Sequence, residues 1–229
     1  MKPLLVIIHG WTKSGSDSFK EVAEILKNDF EMILIDLPGF KTPINRPYTF
    51  DDYLNFLEEK LRNLENFYLL GHSFGGALAM LYSLRFPQKI KTLILYAPAI
   101  IRRKTIKQKI FNFLAKIFKP AEQILTQKLS FFLKKMFYRI FVGSYDYFLF
   151  DENMKKTMAN INQDLSEKAK EIKVKTILLW GEKDKITPFK DAHTLKNLIS
   201  SSKLITFVGG HSYHKENPEE FAKIVKNIV

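Results

Sequence analysis

The chain has 229 residues, 46% of them hydrophobic and 26% charged, with a formal net charge of +12. That size suits one α/β domain with room for an insertion, and that apolar content builds a sizeable core and excludes a disordered chain. There is no cysteine, which excludes disulfides, thiolate metal sites and a cysteine nucleophile, and fits a cytoplasmic protein.

Leu4 to Ile8 is a continuous apolar run, predicting a strand buried on both faces of a parallel sheet and ending at His9-Gly10-Trp11. The run is too short for a signal peptide, and no stretch reaches the ~20 apolar residues that span a bilayer. Residues Ser18 to Asn28 follow as a helix, with Phe19, Val22, Ala23 and Leu26 on one face. A second strand, Met32 to Ile35, ends in Asp36-Leu-Pro-Gly-Phe40, and Tyr48 to Leu64 reads as a helix started by Thr49 or Asp51. Phe67 to Leu70 is a third strand that breaks at Gly71. A helix with Leu78, Leu81 and Tyr82 on its buried face begins almost at once and stops before Pro87. Thr92 to Tyr96 is a fourth strand, Thr176 to Trp180 and Leu204 to Val208 are a fifth and sixth, with a helix around Asp191 to Leu198 between them, and Phe221 to Val229 closes the chain as a helix.

Strands alternating with helices predict an α/β, mostly parallel, doubly wound sheet of about six strands, with ligands bound at its carboxyl edge. Residues 100–164 interrupt the alternation. Ile106, Ile110, Phe113, Leu114 and Ile117 mark one amphipathic helix ended by Pro120, Leu125, Leu129, Phe132, Leu133, Met136 and Ile140 mark another, and Asp151 caps a third. Because this insertion leaves from the carboxyl end of the fourth strand, it is expected as a helical cap over the site, with 1–99 and 165–229 forming the core.

The chemistry centres on Gly71-His72-Ser73-Phe74-Gly75, a G-x-S-x-G pattern between a strand and a helix. In such an elbow the serine takes a strained backbone, and the flanking glycines fit where a Cβ would clash. A helix beginning directly after Ser73 turns unpaired N–H groups and a positive dipole end toward a developing oxyanion. A serine hydroxyl also needs a base, and the base an orienting group, from loops at the same edge. The fifth strand runs into Trp180-Gly181-Glu182-Lys183-Asp184 and the sixth into Gly209-Gly210-His211-Ser212-Tyr213-His214, so the chain order is serine, acid, histidine.

Together these segments resemble the α/β-hydrolase superfamily, in its compact cap-bearing branch of serine esterases, over nearly the full chain. His9-Gly10-Trp11 resembles the oxyanion loop, Asp36 to Phe40 the D-x-P-G-x segment, Trp180 to Asp184 the acid loop, and Gly210-His211 with Pro218-Glu219-Glu220-Phe221 the histidine loop and last helix. The first strand begins only a few residues after Met1, so the antiparallel N-terminal strands usual in the family are not expected. The resemblance implies Ser73 as nucleophile, His211 as general base, Asp184 as the group that orients it, and the backbone N–H groups of Trp11 and Phe74 as oxyanion hole. It implies no cofactor, and the five histidines have no metal-ligand spacing. His9 is expected to order the oxyanion loop, His72 to pack beside the elbow and His193 to lie on a surface. His214 competes with His211 as base, but the family pattern places the base directly after glycine. Glu182 and Asp36 compete with Asp184, but Glu182 is expected to point differently and Asp36 to lie beyond the first strand.

The implied activity is carboxylic ester hydrolysis through an acyl-enzyme, on a small-molecule ester or acyl substrate. Lactone, thioester or C–C bond hydrolysis would use the same residues, and a non-catalytic binding module would have no need of all three. The positive charge is concentrated: between Arg102 and Arg139 stand eleven basic residues and one acid, Glu122, a net +10 of the +12. No nucleic-acid motif accompanies it, and a solvated lysine face would account for it. The functional expectation is that this segment draws in an acidic partner, either an anionic lipid surface or an acyl carrier protein.

Overall fold

The computed structural model describes residues 2–102 and 150–229. Six strands, β1 (Leu4–Ile8), β2 (Glu31–Ile35), β3 (Phe67–His72), β4 (Ile90–Tyr96), β5 (Thr176–Gly181) and β6 (Ser202–Phe207), form one parallel sheet in the order β2-β1-β3-β4-β5-β6. The continuous apolar runs occupy its middle: every residue of β3 and β5 is buried, as are the last four of β1. Among the described residues strand β6 has one neighbour, and its interior residues are part-exposed, as an edge position allows.

The strand order decides where the helices go. The step from β1 to β2 runs one way along the sheet, whereas the steps from β2 to β3, β3 to β4 and β5 to β6 run the other way. Right-handed crossovers therefore put α1 (Lys20–Leu26) on one face and α2 (Phe50–Leu61), α3 (Phe74–Arg85) and the helix before β6 on the opposite face. In keeping with this, α2 packs on α3, and α1 packs on the last helix, Pro218–Ile228. Helix α2 starts with a capping box in which the Thr49 side chain accepts from the Asp52 N–H and the Asp52 carboxylate accepts from the Thr49 N–H. Its buried face is Tyr53, Leu54, Leu57 and Leu61, and each wholly buried leucine contributes about 2 kcal/mol.

Element boundaries shift by a few residues from those expected. Strand β4 starts at Ile90, β6 runs Ser202–Phe207, and the predicted helix from Ser18 opens as a 3₁₀ turn, Gly15–Phe19, before α1. The cause is a tertiary contact: the Ser16 N–H donates to Asp36 Oδ1 at 2.8 Å, and Gly15 turns with φ of +52°. The last helix starts at Pro218, earlier than Phe221, because proline suits a first helical position.

The helices expected around Ile106–Ile117 and Leu125–Ile140 lie outside the described residues. Helix α4 (Glu152–Asn160) follows the Asp151 cap, whose carboxylate accepts from the Met154 N–H at 2.8 Å. The two ends of the interrupting segment meet, since the Leu165 N–H donates to the Ile100 carbonyl and the Arg102 N–H to Asp164 Oδ2. Among the described residues no helix is long and apolar enough to cross a membrane.

Candidate active site

Strand β3 ends at His72 and α3 begins at Phe74, leaving one residue, Ser73, for the reversal. Ser73 has φ of +53° and ψ of −114°, a region costly for any residue with a Cβ, of order 1–3 kcal/mol. Its neighbours hold it there. The Ser73 N–H donates to the Tyr96 carbonyl at 3.0 Å, and its carbonyl accepts from the N–H groups of Gly76, Ala77 and Ala99. The expected role of the two glycines is met: a Cβ on Gly71 would overlap the Gly75 carbonyl, and one on Gly75 would overlap the Ile8 carbonyl. Strain in the serine is thus sustained by close packing of β3, β1 and α3.

The loop after β1 lies against this turn, because a Cβ built on Gly10 would stand 3.2 Å from the Ser73 Cβ. His9 orders it. Its Nδ1 donates to the Gly10 carbonyl at 2.7 Å, its Nε2 accepts from the Leu37 N–H at 3.1 Å, and burial lowers its pKa to about 4, so the ring stays neutral. The Trp11 ring meets Phe74 edge-on at 5.5 Å, which brings the two residues of the expected oxyanion hole together.

On the other side, His211 Nδ1 donates to Asp184 Oδ2 at 2.7 Å. The Asp184 side chain is buried, and it is not left to one partner. Oδ1 accepts from the Ile186 and Thr187 N–H groups at 2.8 and 3.0 Å, and Oδ2 also accepts from the Thr187 hydroxyl at 2.9 Å. Four donors on one buried carboxylate satisfy its lone pairs and fix its orientation. Thr187 was not singled out from the sequence. Its Oγ1 lies 3.2 Å from His211 Nδ1 and its carbonyl accepts from the Trp180 indole N–H, so it locks the acid, the histidine and the end of β5 into one turn. The local signal was a threonine three residues after the acid, the spacing at which an aspartate caps its own turn.

The competing residues are elsewhere. His214 is buried, stacks on Phe19 at 4.2 Å, and its Nδ1 lies 3.4 Å from the Tyr96 hydroxyl. Desolvation, with Lys215 and His211 adding to it, lowers its pKa to about 3. Glu182 is exposed and accepts from Thr206 Oγ1, while Asp36 pairs with Lys41 at 3.1 Å beyond β1. His193 is exposed on the helix Lys190–Leu198.

A family model for the alpha/beta hydrolase fold matches residues 3–123, more than half of the chain. The chain belongs to the α/β-hydrolase family. This α/β-hydrolase is 27% identical over 244 residues to the AB hydrolase superfamily protein YisY of Bacillus subtilis, covering 96% of the chain and 89% of that protein. It is 28% identical over 248 residues to the pimeloyl-acyl-carrier-protein methyl ester esterase of Wigglesworthia glossinidia brevipalpis, covering 98% of the chain and 93% of the relative. The esterase of Exiguobacterium antarcticum has the same fold, with a TM-score of 0.74 at 21% identity over 100% of the chain and 91% of that structure.

Beside Ser73 the α/β-hydrolase carries an aromatic wall. Trp11, Phe40, Phe74 and Phe150 pack with ring centroids 5.0 to 6.4 Å apart, mostly edge-on or tilted as ring quadrupoles prefer. Lys13 caps the Phe150 ring at 4.3 Å. The serine, His211 and this wall stand at the carboxyl edge of the sheet, where the family's loops converge.

Proposed function

We propose that this α/β-hydrolase cleaves carboxylic esters through an acyl-enzyme. Ser73 Oγ attacks the ester carbonyl carbon as its proton passes to His211, and Asp184 stabilises the imidazolium that forms. The tetrahedral oxyanion is held by the N–H groups of Trp11 and Phe74. Collapse breaks the bond to the alcohol oxygen, which leaves with the proton from His211. Water then attacks the acyl-Ser73 carbonyl, giving a proton to His211, and the carboxylic acid departs as that proton returns to Ser73.

The observation that carries this reading is the Asp184 carboxylate. It is buried, held by four donors and 2.7 Å from His211 Nδ1, and it serves a histidine at the same sheet edge as a serine kept at φ of +53°. A protein that merely binds a ligand has no use for either expense. The aromatic wall suits an apolar acyl or alcohol portion. The test is pre-steady-state hydrolysis of p-nitrophenyl acetate. A burst of p-nitrophenol equal to the enzyme concentration is expected, absent in Ser73→Ala; release unaffected by that substitution would sink the reading.

The acyl group is proposed to arrive on an acidic acyl carrier protein. Support comes from the basic segment between Arg102 and Arg139, net +10, and from the 28% identical relative named for a carrier-bound ester. In this reading residues 100–164 cover the site and present that charge. Exposed charges act mainly on association and are screened beyond ~8 Å at physiological salt. KM for a carrier-bound ester should rise steeply with salt, while KM for p-nitrophenyl acetate stays level. Replacing Lys104, Lys107 and Lys109 by glutamate should raise the first and spare the second. If anionic vesicles bind and the carrier does not, the partner is a lipid surface instead.

A further inference from the structure

Two strand ends converge on one backbone oxygen. His72 closes β3 and Tyr96 closes β4, and the two are register partners across the sheet with their rings stacked at 4.4 Å. His72 Nε2 lies 2.9 Å from the His211 carbonyl oxygen, and the Tyr96 hydroxyl lies 2.9 Å from the same oxygen. A carbonyl only accepts, so His72 is the tautomer with its proton on Nε2, and Tyr96 donates as well.

The histidine loop needs such anchors. Two glycines, Gly209 and Gly210, precede His211, and a Cβ on Gly210 would meet nothing closer than the Glu216 carboxylate at 3.8 Å. Gly209 is held, because its carbonyl accepts from the Lys183 N–H at 2.9 Å and its Cα packs on the Tyr213 ring, but no side chain crowds Gly210 beside the base, and the Asp184 bond holds only the His211 ring. A base that must transfer a proton within each step needs both its ring and its backbone fixed, because a displacement near 1 Å costs on the order of 10²-fold in rate.

We propose that His72 and Tyr96 are positioning residues for the reaction, pinning the His211 backbone from beneath so that its imidazole stays aligned between Asp184 and Ser73. This rests on the reading of His211 as base. Burial holds the His72 pKa well below its ordinary value, and the neighbouring His211, with ring centroids 4.7 Å apart, lowers it further. His72 therefore stays neutral when His211 becomes charged in turnover, and adds no like charge beside the imidazolium. His214, with its ring 4.7 Å from that of His72 and its Nδ1 toward the Tyr96 oxygen, packs behind the pair.

The test is steady-state kinetics on p-nitrophenyl acetate for Tyr96→Phe, His72→Leu and His72→Gln, each with its melting temperature, beside His211→Ala. Tyr96→Phe and His72→Leu should each lower kcat by about 10- to 100-fold. KM should stay within about twofold, because the loss is one of alignment in the transition state. His72→Gln, whose amide N–H reaches to a similar depth, should recover most of the lost rate even where it does not recover the melting temperature. Rate that tracks melting temperature across the set, or full kcat in a folded Tyr96→Phe, overturns the proposal while leaving His211 as base. Activity retained in His211→Ala overturns both.

Discussion

Ser73→Ala and His211→Ala are each expected to lower kcat on the order of 10⁴-fold or more with the fold intact, and Asp184→Asn by about 10⁴-fold. The three differ in how they fail. Alanine at 73 removes the attacking oxygen and keeps the backbone hydrogen bonds that hold the elbow, which come from main-chain atoms. Alanine at 211 leaves Asp184 Oδ2 with the Thr187 hydroxyl and keeps the pinned carbonyl. Asparagine at 184 still accepts from Ile186 and Thr187 on one atom. Its amide group, however, turns a donor toward Nδ1 where a carboxylate accepted, so the imidazole is driven to the tautomer with no lone pair for the serine proton. Because the three act as one unit, the double variant Ser73→Ala/His211→Ala should lose little beyond either single. If His214→Ala abolishes the reaction and His211→Ala does not, the base has been misassigned.

Acid should unfold this protein through its buried histidines well before its carboxylates protonate. His9 falls from 6.5 to about 4 and His214 from 6.5 to about 3, in each case chiefly because burial disfavours the charged ring, and His72 is lowered by the same cause. A base with a lowered folded pKa contributes stability that is fully present above its unfolded value and lost as pH falls below it, because the unfolded chain takes up protons that the native state refuses. The window therefore opens near pH 6.5 and runs down toward pH 4. Each such histidine contributes up to about 1.4 kcal/mol of lost stability per pH unit there. The lowered carboxylates Asp36 and Asp52 act with the same sign, but only below their ordinary range near 3.8. Urea midpoints should be level above pH 7 and fall steadily between 6.5 and 5. His214→Phe, which keeps the stack on Phe19 and removes the titrating ring, should flatten the slope. A midpoint independent of pH from 7.5 to 5 would contradict the assignment of these rings as neutral.

Much of this architecture was legible because parallel strands buried on both faces announce themselves as unbroken apolar runs. All six were found, and the punctuation at their ends (Gly71, Asp36, Gly181, Gly209) marked the carboxyl edge. The elbow was legible for a steric reason, since only glycine fits at 71 and 75 and the pattern is short enough to read. Errors fell where a distant residue sets local structure. Ser16 and Gly15 form a 3₁₀ turn because Asp36, twenty residues on, accepts from the Ser16 N–H. His72 was read as packing beside the elbow, but it also donates to a carbonyl 139 residues away, and Tyr96 was read as the end of a strand. Hydrogen bonds to a backbone oxygen leave no periodicity, so nothing in the local pattern pointed to them. Thr187 was missed although its spacing from Asp184 offered a hint, since a side-chain bond within one loop leaves no periodicity either.

The central claim is that a covalent acyl group passes through Ser73. Rapid quenching of the protein during hydrolysis of p-nitrophenyl acetate, followed by peptide mass analysis, tests it directly. One acetyl group should appear on the peptide containing Ser73 and should be missing in Ser73→Ala. Turnover of the ester with no adduct on that peptide, or with the adduct on another residue, would contradict the account.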